Sequence, residues 1–411
     1  MTSGETTCLG CGSALPEPFL DLGKTPLANS YIRPEQAHLP ETTCRLAVAF
    51  CPLCRLVQLT ERVPPENLFS NYLYFSSYSD SFLTHARAMA ESLTQRFHLG
   101  AESLVLEIAS NDGYLLQYFQ KNGIRVLGIE PARNIAAVAE NLGIPTLTRF
   151  FGPEVSEEIT GTFGQADVIV GNNVLAHVPA INEFLRAVKA CLKPDGAAVF
   201  EFPHLGDLLD RTAFDTIYHE HVFYFSLSAI RTLVERAGLH LFDVSTQAIH
   251  GGSLRVFLGH QGRHPLSPNV AAMLAAEHRA GLTNPDRYRA FSHQVVTLRH
   301  RLLEVLRGVR TSGKRLAAYG APAKGNTLLN YCGIGTDDVA FTVDRSPHKQ
   351  GLLLPGTHLP IFPPEKIREE KPDYLLILPW NLKDEIMAQM SYIREWGGQF
   401  VVPVPRVEVV P

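Results

Sequence analysis

The sequence lacks several features that would assign it to a specialised class of protein. No apolar run approaches the ~18 residues of a membrane-spanning helix. The first ten residues contain neither a basic patch nor an apolar stretch, so no secretory signal is visible. Positive charge is not in excess, because 37 basic and 41 acidic side chains give a net charge of −4. Surfaces that coat nucleic acid or anionic membrane are usually basic, so we expect a cytoplasmic protein that binds neither.

Apart from these absences, the composition is that of an ordinary globular protein, with 45% apolar and 19% charged residues. At ~150 residues per domain, a chain of 411 residues is expected to form two to three domains.

Five of the seven cysteines lie within the first 54 residues, and cysteine is scarce in the rest of the chain. Clustered thiols in a reducing compartment more often hold metal than form disulfides. Cys8 and Cys11 form one C-x-x-C pair, and Cys51 and Cys54 form a second. Four thiolates suit tetrahedral zinc and leave no position for water, so we predict a structural zinc site, with buried unpaired thiols as the alternative. Cys44 lies on a predicted strand and is not expected to be a ligand.

From residue 104 the sequence alternates short apolar runs with amphipathic helical patterns. This alternation predicts a parallel, doubly wound sheet whose ligands bind at the carboxyl ends of the strands. The predicted strands are Leu104–Ile108, Ile124–Ile129, Asp167–Gly171 and Ala197–Phe202, and the predicted helices are Tyr114–Lys121, Asn134–Leu142 and Asn182–Leu192. The segment Lys193-Pro-Asp-Gly196 is expected to end the last of these helices.

The loop after the first of these strands lacks the G-x-G-x-x-G pattern that brings a backbone against a pyrophosphate. Its pattern, Glu107-x-Ala109-x-Asn111-x-Gly113, has the spacing of the E-x-G-x-G-x-G loop of class I S-adenosylmethionine (SAM) methyltransferases. Small residues there leave room for the methionine part of the cofactor. Glu130 ends the second strand, where a carboxylate suits the two hydroxyls of a ribose. These features favour SAM over NAD, and a Rossmann-like sheet without a ligand is the remaining alternative.

A segment rich in ionisable residues, Tyr218-His219-Glu220-His221, follows the last of these strands. In an extended chain, Tyr218 and Glu220 would face one way and the two histidines the other. Two histidines and a carboxylate this close together are costly to bury, which indicates a functional role.

As a set, these segments resemble one family, the sugar C-methyltransferases of deoxysugar biosynthesis, which include enzymes that methylate C3 of dTDP-4-keto-6-deoxyhexoses. The resemblance covers essentially the whole chain. Ala109 departs from it, because relatives usually have glycine there, and its methyl group is expected to weaken SAM binding modestly. The motifs that carry the resemblance are the two cysteine pairs, Glu107–Gly113, Asn172–Pro179, Tyr218–His221, Asn71–Ser79, His250–Arg255, Tyr319–Thr327 and Val343–Gly351.

The resemblance implies an α/β protein with an N-terminal zinc-binding domain, a central class I (Rossmann-like) methyltransferase domain and a C-terminal second α/β domain. We place the boundaries at 1–72, 73–265 and 313–411, with a linking helical segment at 266–312. Apolar residues at helical spacing predict a long helix in that segment. The predicted buried face is Tyr288, Phe291, Val295, Leu298, Leu302, Val305 and Val309.

The C-terminal domain is expected to bind the nucleotide sugar. Its Gly-rich turn opens a helix, where free backbone amides can hold a phosphate and Lys324 adds positive charge. Lys324 and Asn326 are therefore predicted substrate-binding residues, with a plain helix cap as the alternative.

The implied reaction is SAM-dependent methylation of carbon beside a ketone, for a branched deoxysugar of an antibiotic or other natural product. The C4 carbonyl acidifies the C3 hydrogen, a base removes it, and the resulting carbanion attacks the methyl group. We predict His221 as the base and Glu220 as the group that orients it or exchanges a proton with the enolate oxygen, and the two roles could be reversed. Tyr218 and His177 are predicted to donate hydrogen bonds to that oxygen, and the family implies Tyr72 as a further active-site group.

Asn172 is predicted to lie in the cofactor site, and the partners are expected to be a dTDP-linked keto sugar and no second protein chain. Three alternatives remain open from the sequence: methylation at C5, an oxygen or nitrogen methyltransferase, and a SAM-binding or zinc-ribbon interaction module. The Tyr-His-Glu-His group is against the last two, since neither needs an enolate stabiliser.

Overall fold

The computed structural model describes residues 7–69, 75–78 and 80–411, and for His250 the backbone alone. In these residues the strands form three sheets of four, seven and six strands. None of the helices in the described part of the chain combines the length and apolar character that crossing a membrane requires.

The N-terminal part contains three strands, two helices and two short 3-10 helices. These elements are β1 (Leu20–Pro26), β2 (Thr43–Phe50), β3 (Val57–Leu59), α1 (Pro65–Phe69) and α2 (Asp80–Arg96), with 3-10 helices at Pro34–Gln36 and Ser76–Tyr78.

The central part follows the predicted alternation of strands and helices. Its strands are β4 (Leu104–Ile108), β5 (Arg125–Ile129), β6 (Thr146–Leu147), β7 (Ala166–Asn172), β8 (Leu192–Pro203), β9 (Phe223–Tyr224), β10 (Leu239–Gln247) and β11 (Ser253–His260). Its helices are α3 (Leu116–Lys121), α4 (Arg133–Asn141), α5 (Pro153–Thr162), α6 (Ile181–Cys191), α7 (Leu205–Asp210) and α8 (Leu227–Arg236). Short 3-10 helices lie at Leu175–His177, Phe214–Thr216 and Ile249–Gly251.

Two helices and a second α/β unit complete the chain. They comprise α9 (Pro268–Arg279), α10 (Pro285–Thr311), β12 (Leu316–Tyr319), α11 (Ala323–Cys332), β13 (Thr342–Val343), β14 (Ile361–Phe362), α12 (Lys366–Glu370), β15 (Tyr374–Ile377), α13 (Lys383–Gln389), β16 (Gln399–Val402) and β17 (Glu408–Val410), with 3-10 helices at Trp380–Leu382 and Ser391–Trp396.

The seven-stranded sheet has the order β10-β11-β8-β7-β4-β5-β6. Strands β4 to β8 pair in parallel, as predicted, and the antiparallel strands β10 and β11 extend one edge. The carboxyl ends of β5, β4, β7 and β8 therefore lie side by side, which brings together polar residues that are far apart in the sequence.

Strand β9 joins the N-terminal sheet, whose order is β1-β2-β3-β9. Val57 pairs with Tyr224, and Gln58 pairs with Phe223. Strand β9 comes directly after the Tyr218–His221 segment, so the N-terminal sheet holds one end of that segment in place.

Two local predictions have different outcomes. The helix before residues 193–196 ends at Cys191, as expected, and these four residues lie inside β8 at an irregularity where its pairing with β7 changes register. In α10 the buried face includes Leu306, whereas Val305 is only partly buried. The helix itself was predicted, and Tyr288 near its start stacks on Phe50 with ring centroids 4.3 Å apart. The N-terminal sheet, α10 and the C-terminal domain therefore share one apolar core.

A buried ionic network fastens α9 to the start of α8. Glu277 of α9 accepts hydrogen bonds from the backbone N–H groups of Leu227 and Ser228 at 2.5 and 2.9 Å. His204 bonds Glu277 through Nε2 at 3.1 Å and Asp207 through Nδ1 at 3.0 Å. Burial lowers the pKa of His204, but the two carboxylates outweigh this and raise it to about 9. His204 is therefore cationic at neutral pH.

This network predicts a pH-dependent part of the stability. A histidine whose pKa rises from an unfolded value near 6.5 to about 9 adds stability below pH ~6.5, and this contribution is lost as the pH rises through 9. We expect His204→Gln to lower the free energy of unfolding by on the order of 3 kcal/mol at pH 6 and by much less at pH 10. Urea unfolding of both proteins across this range measures the difference, and a difference independent of pH would contradict the assignment.

Candidate active site and zinc site

The two cysteine pairs form matching turns. Cys8 accepts a hydrogen bond from Gly12 N, and Cys51 accepts one from Arg55 N, at 2.7 and 2.8 Å between backbone atoms. Gly12 and Arg55 occupy the same position of each turn and both have positive φ. Each turn therefore closes on its own backbone and directs two sulfur atoms to one side.

The four sulfur atoms face each other across the two turns. All lie within 4.8 Å of one another, with Cys8 Sγ 3.4 Å from Cys54 Sγ and Cys11 Sγ 3.6 Å from Cys51 Sγ. Tetrahedral zinc with Zn–S bonds of ~2.3 Å would hold its sulfur ligands ~3.8 Å apart, so the four thiolates fit this metal. Cys44 does not belong to the group. The predicted ligand set is therefore assembled by the fold.

The zinc turns also contact the central domain. Asn182, at the start of α6, donates its amide to the carbonyl oxygens of Leu9 and Gly10 at 2.9 and 3.2 Å. A side chain at Gly10 would collide with Leu233 of α8. This close approach requires glycine and makes the zinc turns part of the domain contact.

The predicted cofactor loop after β4 has an unusual backbone. Ala109, Asn111 and Gly113 all have positive φ, at 57°, 49° and 80°. These are the three positions that carry glycine in the E-x-G-x-G-x-G pattern, and only glycine adopts this conformation without cost. The strain at Ala109 gives a physical reason for the glycine in that pattern. At Gly113 a Cβ atom would also lie 2.4 Å from Ile144 Cδ1.

Asn111 fixes this loop with its side chain. Its Oδ1 accepts hydrogen bonds from the backbone N–H groups of Ser76 and Asp112 at 2.9 and 3.0 Å. The predicted cofactor-binding residue therefore organises the loop and ties it to the segment that follows α1.

Glu107 is fully buried at the end of β4, and neither oxygen of its carboxylate has a hydrogen-bond partner among the described residues. Burial raises the pKa of Glu107 well above its usual value. Ser110 Oγ, Asp112 Oδ1 and Asn172 Oδ1 are likewise buried without a partner in this part of the structure. These unpartnered atoms lie at or just after the carboxyl ends of β4 and β7. A bound cationic, polar ligand such as SAM would supply their missing hydrogen bonds.

Glu130, at the end of β5, holds the same loop from the other side. Its Oε2 accepts from Asn111 N at 3.0 Å and its Oε1 from Ala132 N at 2.8 Å. Burial raises the pKa of Glu130, and these two amides partly oppose the rise. Each carboxylate oxygen keeps a lone pair for a further donor, as the predicted ribose contact requires.

The Tyr218–His221 segment is a turn, not an extended chain. His221 N donates to the Tyr218 carbonyl at 2.9 Å, which brings the side chains of these two residues to the same side. His219 points away and bonds the Cys44 carbonyl through Nε2 at 3.1 Å. The alternation of faces expected for an extended chain is therefore wrong, and Tyr218, not His219, accompanies His221.

Tyr218 and His221 form a hydrogen-bonded pair. The Tyr218 Oη atom lies 2.8 Å from His221 Nε2, and His221 Nδ1 lies 3.1 Å from the Thr216 carbonyl oxygen. Because a carbonyl can only accept, the proton of His221 is on Nδ1 and the lone pair is on Nε2. His221 is thus a half-buried, oriented imidazole whose basic nitrogen receives the Tyr218 hydroxyl.

His177 lies beside this pair, with its ring 4.9 Å from that of His221. Its Nδ1 donates to the Glu220 carbonyl oxygen at 2.7 Å. Burial lowers the pKa of His177 to about 4, so its ring is neutral and Nε2 carries a lone pair at pH 7. In this state His177 offers an acceptor and not the hydrogen-bond donor that the sequence suggested.

The Glu220 side chain points towards the N-terminal domain, where Asn29 Nδ2 donates to its Oε1 at 2.6 Å. Tyr31 lies nearby and donates to the Ala321 carbonyl of the C-terminal domain at 2.6 Å, as does Lys349 Nζ at 2.9 Å. A series of contacts therefore connects Glu220 through Asn29 and Tyr31 to the C-terminal domain. Sequence reasoning missed Asn29 and Tyr31, which lie in no recognisable pattern, whereas Lys349 lies within a segment that carries the family resemblance.

The two predicted substrate-binding residues lie in the C-terminal domain. Lys324 donates to Asn381 Oδ1 at 2.9 Å and lies 5.1 Å from the Trp380 ring centroid, and burial lowers its pKa. Trp380 Nε1 donates to Asp215 at 2.7 Å, shortly before the Tyr218–His221 segment. Asn326 is buried and donates to the Ala28 carbonyl at 3.1 Å, so its side chain joins two domains.

The remaining predicted residue, Tyr72, lies outside the described residues. No sequence pattern indicated the buried cluster of Glu201, Arg255 and His85 at the end of β8. Arg255 was part of a motif with no assigned role.

The chain matches three family models in succession. Residues 8–69 match a "Putative zinc binding domain", residues 82–244 a "Methyltransferase domain" and residues 248–405 a "C-methyltransferase C-terminal domain". These matches agree with the α/β architecture of three parts and with the cysteine cluster.

Relatives are known by name. The C-methyltransferase NovU of Streptomyces niveus is 40% identical over 407 residues, which are 98% of this chain and 96% of that protein. The ubiquinone biosynthesis O-methyltransferase of Methylobacterium sp. (strain 4-46) is 30% identical over 106 residues, 24% of this chain and 41% of that protein. A solved S-adenosylmethionine-dependent methyltransferase from Clostridium acetobutylicum ATCC 824 aligns with 44% of this chain and 92% of its own, at 11% identity and a TM-score of 0.36.

Proposed function

The chain belongs to the C-methyltransferase family represented by the Streptomyces niveus protein, and on this premise we propose that it methylates C3 of a dTDP-4-keto-6-deoxyhexose. The product would be a branched deoxysugar for an antibiotic or other natural product. The family resemblance of the sequence supports the sugar and its nucleotide, and the site geometry supports chemistry beside a ketone.

The observation that carries the proposal is the hydrogen bond between Tyr218 Oη and His221 Nε2 at 2.8 Å. A base and an acid held this close together can act on neighbouring atoms of one substrate. A carbon next to a ketone needs both, because the base removes a proton while the acid stabilises the charge that develops on the carbonyl oxygen. Methylation of oxygen or nitrogen needs no such stabiliser.

In the proposed reaction His221 Nε2 takes the proton from C3, and the electron pair of the broken C–H bond moves onto the C4 oxygen. Tyr218 turns its hydroxyl from Nε2 to that oxygen and donates a hydrogen bond to it. The Thr216 carbonyl keeps the proton on Nδ1 and stabilises the imidazolium that forms. Glu220 exchanges a proton with the enolate oxygen, and a reversal of the roles of Glu220 and His221 is an outcome that experiment can distinguish.

The residues around the β4 loop would hold SAM, which supplies an electrophilic methyl group to the carbanion when bound. Glu130 would accept hydrogen bonds from the ribose, while Ala109 and Gly113 leave space along the loop. Glu107 and Asn172 would offer their unpartnered oxygens to the methionine part. The protein thereby aligns the substrate carbon with the methyl group.

Incubation with SAM and dTDP-4-keto-6-deoxyglucose derivatives tests the function. The expected product has gained one methyl group in its mass spectrum, with the carbon–carbon bond at C3 in its NMR spectrum. A methyl group on oxygen or nitrogen would refute the reaction class, and a methyl group at C5 would refute the position.

Glu130→Ala is expected to weaken SAM binding by at least about 10-fold, because each charge-assisted hydrogen bond contributes roughly 1.5–3 kcal/mol. Isothermal titration calorimetry with SAM measures the loss. Since Glu130 also holds the backbone of Asn111 and Ala132, thermal unfolding of the free variant separates loss of fold from loss of binding. The variant should still bind the sugar nucleotide, and unchanged affinity for SAM would refute the role of Glu130.

A further inference from the structure

A buried ionic cluster lies at the carboxyl end of β8, outside the proposed catalytic pair. Glu201 of β8 accepts from Arg255 Nε of β11 at 2.5 Å, and its other oxygen lies 2.7 Å from His85 Nε2 of α2. The side chains of Glu201 and Arg255 are only 4% and 10% exposed. Both carboxylate oxygens are therefore engaged.

Arg255 has unused donors. A guanidinium group carries five N–H bonds, and only the Nε–H of Arg255 donates to a group in the described part of the chain. Burying a cation with unsatisfied donors is costly unless another group completes its hydrogen bonds. Its two Nη groups are therefore available for an anion, and their planar arrangement fits a carboxylate.

The position of Arg255 relates it to the predicted cofactor edge. Glu201 pairs in register with Asn172 of β7, whose Oδ1 is unpartnered and whose amide donates to the Tyr114 hydroxyl. Next along this row come Glu107 on β4 and Glu130, which directly follows β5. The polar groups thus form a row from β5 to β8. The row crosses three strand spacings, which total about 14 Å.

We propose that Arg255 binds the α-carboxylate of SAM. When the ribose of SAM lies at Glu130, the rest of the molecule extends across β4 and β7, and its methionine end then faces β8. The carboxylate is the anionic group at that end, and Glu201 holds the guanidinium in place to receive it. The inference rests on the proposed function only in its use of SAM as the ligand and is independent of the sugar.

The diphosphate of the sugar nucleotide is another anion that a guanidinium can bind. Arg255 lies on the face of the sheet that α2 covers, where its partner Glu201 bonds His85. Lys324 and Trp380 lie in the C-terminal domain beside Asp215. The unpartnered polar atoms of Glu107 and Asn172 between Glu130 and Glu201 favour the SAM carboxylate, and the experiment below distinguishes the two.

Calorimetric titration of Arg255→Gln with SAM and with decarboxylated SAM tests the proposal, because the second ligand lacks only the carboxylate. We expect a loss of about 10- to 100-fold in affinity for SAM and a change of less than about 3-fold for the decarboxylated ligand. Equal losses for both ligands, or none, would overturn the proposal. A loss of affinity for dTDP alone would assign Arg255 to the diphosphate and overturn it as well.

Two further variants keep the result interpretable. The double variant Arg255→Gln with Glu201→Gln removes both buried charges, so it avoids the unpaired carboxylate that could unfold the single variant. Like the single variant, it should lose affinity for SAM and keep its affinity for decarboxylated SAM. Arg96→Gln is the matched control, because Arg96 packs on Phe257 of the same strand but pairs with Asp243 on the surface. It should change neither affinity. If Arg255→Gln loses affinity for SAM selectively but the native protein does not methylate the sugar, the proposed function is contradicted and the assignment of Arg255 stands.

Discussion

His221→Asn is expected to bind both substrates and to turn over about 10²- to 10⁴-fold more slowly, the range for loss of a positioned general base. Asparagine keeps approximate size and polarity but cannot accept a proton at neutral pH. The variant should also lose exchange of the C3 hydrogen with deuterated solvent in the absence of SAM. NMR of the recovered sugar nucleotide measures this exchange separately from methyl transfer.

Comparison variants assign the roles. Glu220→Gln should cost less and retain slow exchange, because Thr216 and Tyr218 contact both ring nitrogens of His221. His219→Asn is the matched control, since this histidine points to Cys44 and its loss should affect stability more than turnover. If Glu220→Gln abolishes exchange and His221→Asn retains it, the roles are reversed. If both retain normal exchange, the base lies elsewhere, and the lone pair on His177 Nε2 is the next site to test, although a pKa of about 4 makes it a weak base.

Cys51→Ser is expected to yield poorly soluble protein that lacks zinc, because one weak hydroxyl ligand replaces a thiolate at a site whose metal stabilises the fold. Native protein should contain about one zinc per chain by metal analysis. The expected damage extends to catalysis, since β2 ends just before the second zinc turn, β3 begins just after it, and β3 pairs with β9 beside the Tyr218–His221 segment.

Cys44→Ser provides the control for this prediction. Cys44 lies on β2 outside the group of four sulfur atoms, so its replacement should leave zinc content unchanged. A Cys51→Ser protein that is metal-free, stable and fully active would refute the structural role of the metal.

Features set by local chemistry were predictable from the sequence. The C-x-x-C spacing identified all four sulfur atoms of the cluster, and the apolar runs located the parallel strands β4, β5, β7 and β8. The loop pattern after β4 predicted where glycine-like backbone is needed, and the structure gives Ala109 and Asn111 positive φ. In each case the information lies within a few neighbouring residues.

Features that depend on contacts between distant segments were not predictable. The turn at Tyr218 pairs this side chain with His221, and it is held by β9 in a sheet made mostly of residues before position 60. Asn29 reaches Glu220, and Arg255 reaches Glu201, through tertiary packing that leaves no periodic signal. The Lys193–Gly196 segment shows the same limit, because it lies within β8 at a register irregularity opposite β7 that proline and glycine do not predict locally.

Because β3 pairs with β9, one edge of β3 stays uncovered during much of the synthesis of the chain. Strands β1 to β3 are complete after 59 residues, but the strand that covers the edge of β3 is not synthesised until residue 224. Until then β3 exposes unpaired backbone N–H and C=O groups, which can pair with another nascent chain. The interval of translation between these two strands is therefore a stage at which the uncovered edge of β3 favours aggregation.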